Sequence, residues 1–151
     1  MSGDLVTRIR KLTQHYAYTS IQMHEAVARK AGLSGTDHKY LGFLIKNGEM
    51  TAGELSTLTV LTTGAVTGLI DRFEKKKLVK RRFADDDRRK VIIEPNTENI
   101  MALLEPLYRE FRSESEKLTA SFSDEEIKII ETYFLKATEI MESTTNKLNS
   151  K

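Results

Sequence analysis

No cysteine occurs anywhere in the 151 residues, which excludes disulfides, thiolate metal ligands and thiol-based redox sensing. No apolar run approaches membrane-spanning length, and the opening Met1-Ser2-Gly3-Asp4-Leu5-Val6-Thr7-Arg8 lacks the apolar stretch of a signal peptide. A cytoplasmic protein without a membrane partner is therefore expected. The chain also lacks a phosphate-binding glycine loop, a nucleophile elbow and a catalytic metal motif. Its paired carboxylates fall only in solvated acidic runs, so neither an enzyme nor a cofactor is expected. Histidine is scarce: His15, His24 and His38 are too scattered for a metal site, and His15 with His38 is the pair expected to approach in space. Asp85-Asp86-Asp87 lacks the spaced ligands of a calcium loop and reads as an exposed turn. No repeat, low-complexity tract or interdomain linker interrupts the chain, so the expectation is one domain over 1–151.

What is present is ordinary globular composition with an unusual distribution of charge. A hydrophobic fraction of 39% beside a charged fraction of 30% fits a folded chain rather than a disordered one. The net charge of +2 conceals two opposed segments. From Asp71 to Lys90 there are ten Lys/Arg against five Asp/Glu, whereas from Asn96 to Glu142 there are five against eleven. The basic segment suits a phosphate backbone and the acidic one would repel it. A solvated helix end explains Lys75-Lys76-Lys77 alone, but not Lys80, Arg81, Arg82, Arg88, Arg89 and Lys90 following so closely.

That basic segment lies inside a recognisable run of elements. Residues 4–31 show apolar positions at three- and four-residue steps (Leu5, Ile9, Leu12, Tyr16, Met23, Val27) and predict one long helix ended by Gly32. A second helix is expected over 35–46 behind an N-cap at Ser34, and Met50-Thr51 can add a very short strand. Thr51-Ala52-Gly53-Glu54 is a capping box opening a short helix. The next helix begins at Thr62 or Thr63 and carries Val66, Leu69, Ile70 and Phe73 on its inner face. Leu78–Phe83 and Val91–Ile93 read as strands around a charged tip at Ala84–Lys90. A helix–turn–helix followed by a basic hairpin is a device for reading double-stranded DNA with one helix and gripping it with a wing.

A long helix is expected over 97–120, with Pro106 imposing a kink or dividing it in two. Ser123-Asp124-Glu125-Glu126 is a second capping box before a last helix, and the tail from Thr144 has little to bury and is expected to fray. The fold class is thus mainly α with a small β-hairpin wing. A winged helix–turn–helix lobe (34–95) is bracketed by long helices at 1–32 and 96–148. One small lobe cannot cover the apolar faces of those helices, so they are expected to pack with their copies in a homodimer; packing within a monomer is the weaker alternative.

These residues carry a resemblance. Leu61-Thr62-Thr63-Gly64-Ala65-Val66-Thr67-Gly68-Leu69-Ile70-Asp71-Arg72-Phe73-Glu74, then Leu78-Val79-Lys80-Arg81, then Asp87-Arg88-Arg89-Lys90-Val91-Ile92-Ile93 resemble the MarR family of transcriptional regulators. The resemblance spans nearly the whole chain. It implies a winged-helix homodimer on a pseudo-palindromic operator, usually a repressor, released in many members by a small phenolic or lipophilic effector. Two positions depart from the family pattern. Gly68 stands where many members have a long polar side chain, and Glu94-Pro95 replaces a common Leu-Thr, which is expected to change only the entry to the next helix.

Candidate DNA contacts are Thr62, Thr63, Thr67, Gly68, Arg72, Arg88 and Lys90. Thr62 and Thr63 offer hydroxyls and free N–H groups at a helix N-terminus, with N-capping as their plainer role. Arg72 is a base or phosphate candidate or simply a solvated arginine. Arg88 at the tip suits a narrow minor groove. Asp87 is expected to brace the tip through backbone N–H groups, and Arg89 to pair with Asp71 and set the wing's angle. For an effector, His15, Tyr16, Met23, Tyr40, Phe43, Leu44, Tyr108 and Phe111 offer apolar walls with a few polar groups, or else pack as core. The alternative function is a ligand-insensitive activator or architectural DNA-binding protein of the same fold.

Overall fold

A computed structural model describes residues 2–150. Nine elements follow in order: α1 (Ser2–Lys30), α2 (Gly35–Asn47), β1 (Met50–Thr51), α3 (Ala52–Thr59), α4 (Thr63–Lys75), β2 (Val79–Phe83), β3 (Val91–Pro95), α5 (Thr97–Ala120) and α6 (Asp124–Asn149). Each boundary has a local cause. Gly32 takes φ +76°, and Leu33 N–H then reaches back to the Ala28 carbonyl at 2.8 Å, which closes α1. The Ser34 hydroxyl accepts from Asp37 N–H at 3.0 Å and starts α2. Both sequence-predicted capping boxes form: Thr51 with Glu54 before α3, and Ser123 with Glu126 before α6.

The strands form one antiparallel sheet in the order β1-β3-β2. Arg81 stands opposite Ile93 and Arg82 opposite Ile92, while the two residues of β1 pair with Ile93 and Ile92 from the other side. The core lies where this sheet meets the short helices. Leu41 and Leu44 of α2, Leu55 of α3, and Val66, Leu69, Ile70 and Phe73 of α4 are buried there with Leu78, Val79, Ile93 and Ile100. Every inner-face residue expected of the recognition helix is in this core.

The backbone separates into two compact units, one ending at Tyr108 and the other beginning at Arg109. In the first, α1 leaves Leu5, Val6, Ile9, Leu12 and Tyr16 exposed. In the second, α6 contains no buried residue and exposes Ile129, Phe134, Leu135, Ile140 and Met141.

Two expectations are corrected. α5 runs unbroken through Pro106 rather than as two helices; proline removes a single donor, and the rest of a 24-residue ladder remains. The tail does not fray at Thr144. The helix continues to Asn149, with the Thr144 and Thr145 hydroxyls bonded to the carbonyls of Ile140 and Met141. Among the described residues, no helix is long and apolar enough to cross a membrane.

Candidate nucleic-acid interface

The turn between α3 and α4 is held by its own side chains. The Ser56 hydroxyl donates to the Leu61 carbonyl at 2.7 Å, and Val60 takes the left-handed conformation at φ 58°. Thr62 is the N-cap of α4, accepting from Ala65 N–H at 3.1 Å. Thr63 begins the helix, and Thr67 one turn on donates its hydroxyl to the Thr63 carbonyl at 3.0 Å. Thr62, Thr63 and Thr67 are exposed while Val66, Leu69 and Ile70 are buried. The helix therefore presents the hydroxyl-bearing Thr62, Thr63 and Thr67 at its surface.

Arg72 does not project into solvent as an unpartnered arginine. Its guanidinium folds back and donates to both oxygens of Asp37, Nε at 2.8 Å and Nη2 at 2.9 Å. Asp37 is buried on α2, so the pair ties the recognition helix to α2. The hydrogen bonds it donates to Asp37 hold the Arg72 pKa above its ordinary value. Gly68 lies under this fork. A Cβ there would sit 3.3 Å from Nη1 of Arg72, closer than the pinned guanidinium accepts without shifting. The missing side chain at 68 gives Arg72 its path.

The wing is braced differently from the sequence expectation. Arg81 on β2, not Arg89, reaches Asp71, and its other terminal nitrogen donates to Glu74 at 2.8 Å. Arg89 lies in the tip turn rather than on a strand, so strand alternation does not aim it at the helix. It donates instead to Asp87, through its backbone N–H at 2.9 Å and its Nε at 3.1 Å. These bonds, side chain first, hold the Asp87 carboxyl below the ordinary carboxylate range. Asp87 thus bonds the backbone of the tip as expected. Glu94 does more than alter a helix entry: it accepts from Nε of Arg82, whose Nη2 also donates to Glu49 at 2.8 Å.

The ten cations between Asp71 and Lys90 therefore divide by role. Arg72, Arg81, Arg82 and Arg89 are engaged by carboxylates. Lys75, Lys76, Lys77, Lys80, Arg88 and Lys90 are exposed and form no salt bridge among the described residues, although the charge of Lys90 acts on Asp87. These six are the exposed cations of the segment that are not held in ion pairs.

The residues expected to line an effector pocket occupy different local settings. Tyr40 and Leu44 are core, Phe43 stacks on Tyr40 with centroids 5.9 Å apart, His15 and Tyr16 are exposed on α1, and Met23 is half-buried. Phe111 belongs to the second unit. A cleft of about 790 Å³ opens instead between α1 and the start of α2, with Ile21, His24, Arg29, Leu33, Ser34 and His38 among its walls. None of the eight expected residues lines it. In α2 the aromatic Tyr40 and Phe43 lie with the core, and the cleft is lined by His38, Lys39 and Gly42. Tyr108 does not line the cleft, but its hydroxyl bonds two residues that do, His24 and His38.

Comparison with known proteins places this geometry among relatives. The model of the MarR family matches residues 31–90. YcgE of Bacillus subtilis, an uncharacterised HTH-type transcriptional regulator, is 37% identical over 129 residues, covering 85% of this chain and 83% of its own. A MarR family protein from Bacillus stearothermophilus superposes with a TM-score of 0.72 at 25% identity, over 94% of this chain and 99% of the other. FabT of Streptococcus pneumoniae, solved in complex with DNA, gives a TM-score of 0.71 at 19% identity over 92% and 99%.

Proposed function

Since the chain belongs to the MarR family of DNA-binding winged helix–turn–helix transcriptional regulators, we propose that it acts in the cytoplasm as a homodimeric repressor of a pseudo-palindromic operator. The observation that carries the reading is the brace between wing and recognition helix. Arg81 joins β2 to Asp71 and Glu74 of α4, so the hydroxyl face of α4 and the tip carrying Arg88 and Lys90 approach DNA as one rigid body. Thr62, Thr63 and Thr67, at the start of α4 beside Gly68, meet the major groove, and Arg88 enters the adjoining minor groove. FabT, similar in fold, is solved on DNA, which supports this use of the lobe.

Dimerisation is supported by the apolar side chains left exposed on α1 and α6. In the proposed organisation, 1–32 and 96–148 form the dimer and 34–95 read DNA. Two lobes then engage half-sites about 34–36 Å apart, one helical turn of DNA. A small amphipathic effector is assigned to the cleft beside His24 and His38, where it acts by binding the DNA-incompetent dimer more tightly.

Retention of genomic fragments followed by sequencing tests the reading. A pseudo-palindrome with half-sites one turn apart is expected, together with a steep loss of affinity as salt rises. Salt-sensitive retention without an enriched motif would leave an architectural binder, and an affinity unmoved by any effector would leave a ligand-insensitive regulator.

A further inference from the structure

Tyr108 on α5 places its hydroxyl 2.6 Å from Nδ1 of His24 on α1 and 3.1 Å from Nε2 of His38 on α2. The two imidazoles stack, centroids 5.9 Å apart and planes 28° apart. One hydroxyl thus ties three helices together at the edge of the cleft. Counting protons shows what this arrangement tolerates. With both rings neutral, the hydroxyl donates to one bare ring nitrogen and accepts from the N–H of the other. A first proton can be added to the donor ring without disturbing that pattern. A second leaves two N–H donors facing the oxygen, neither ring able to accept the hydroxyl proton, and two cations stacked on each other.

Charged groups of both signs lie near the bridge. Glu25 is the one carboxylate on the cleft wall, and it is opposed by Arg29 and Lys39. Asp37 precedes His38 but is engaged by Arg72, and Glu105 lies one helical turn before Tyr108 on α5. Burial first, and then the charge of His24, lower the His38 pKa below its ordinary value.

The consequence reaches the recognition helix through one turn of α2. Asp37 and His38 are adjacent in that turn. His38 faces the Tyr108 bridge, while the buried Asp37 holds both Nε and Nη2 of Arg72 on α4. Ser34, which caps the turn, borders both the cleft and the pocket around Arg72.

We propose that the His24–Tyr108–His38 bridge is a proton-operated latch. Closed, it seats the first turn of α2 so that Asp37 holds Arg72 and the recognition helix; opened by acid, it releases that seat and weakens sequence-specific DNA binding. Only the last step rests on the DNA-binding reading.

The sign of the linked stability follows from the lowered His38 pKa. The unfolded chain binds more protons than the folded one below about pH 6.5, so the latch stabilises above that value and its contribution is lost as pH falls toward the folded pKa.

The test follows histidine and arginine side-chain resonances of the full-length, DNA-free protein from about pH 8 to about pH 5. His38 is expected to titrate below the ordinary histidine value, and the Arg72 Nε–H signal to shift with the same midpoint. Tyr108→Phe, which keeps the ring, should abolish that shift of Arg72. On the duplex most enriched from genomic fragments, acidification should weaken wild-type binding about tenfold. Binding to a random-sequence duplex should hold or strengthen, because added positive charge favours phosphate. His38→Gln, with an amide near the Nε2 position, should flatten the specific response.

Three results would overturn the latch: His38 titrating at the ordinary value, Arg72 indifferent to His38, or an acid response that persists in both variants. If no duplex is enriched, the DNA reading fails by itself, and the two titrations still decide whether the bridge moves Arg72.

Discussion

Arg81 and Arg89 both have a carboxylate within reach, yet only Arg81 spans two elements. Arg81→Ala removes the contacts to Asp71 and Glu74 together. Because both carboxylates are exposed, the folding loss should stay within about 1 kcal/mol. The wing's angle is released, however, and specific DNA affinity should fall several-fold in a fluorescence-anisotropy titration. The exchanged double variant Asp71→Arg/Arg81→Asp should recover part of that loss, and no recovery would remove the brace from the mechanism. Arg89→Ala disturbs only the tip, so its effect should be smaller. Arg88→Ala should weaken operator binding by about 1–3 kcal/mol and reduce the salt slope by about one. The tip contributes no acid response of its own near neutrality. The lowered Asp87 pKa places the loss of its bonds below the ordinary carboxylate value of about 3.9.

Between α3 and α4, Val60 holds a left-handed backbone with its side chain 89% exposed, so it carries the strain of a β-branched residue at positive φ without any burial to offset it. Val60→Asn or Val60→Gly should raise unfolding stability by about 0.5–1 kcal/mol in urea titrations, and a loss would mean that the isopropyl group has a partner. Thr51→Ala should cost about 1 kcal/mol, since it dismantles one half of the capping box. The helices show how far local signals reach. Ser34, Thr51, Thr62 and Ser123 each cap within three residues of themselves, and the sequence could display all four. Pro106 is the contrary case. Its local rule allowed for a break there, and the surrounding ladder of α5 carried the helix across it.

At the scale of the whole molecule, the exposed apolar faces of α1 and α6 have a thermodynamic consequence. A homodimer that buries them should melt at a temperature that rises with protein concentration. Leu12→Glu combined with Ile140→Glu, both at exposed positions, should shift sedimentation equilibrium toward monomer and lower operator affinity with it. A variant that stays dimeric would place the dimer contact elsewhere on the chain.

The amino-acid sequence by itself determined the caps, the buried face of α4, the presence of the wing and the family, because each is written in neighbouring residues or in a period of two or 3.6; the returning strand runs on to Pro95, two residues past its apolar run. Tertiary structure alone decided which charges meet. Asp71 is joined to Arg81 rather than Arg89, Arg72 to Asp37 across 35 residues, and Tyr108 to His38 across 70 and to His24 across 84. Charged and aromatic side chains of one type look alike along the chain. Which carboxylate an arginine reaches, or which histidine a hydroxyl bridges, depends on how separate helices are seated by the core, and that seating belongs to the whole set of buried residues rather than to any segment.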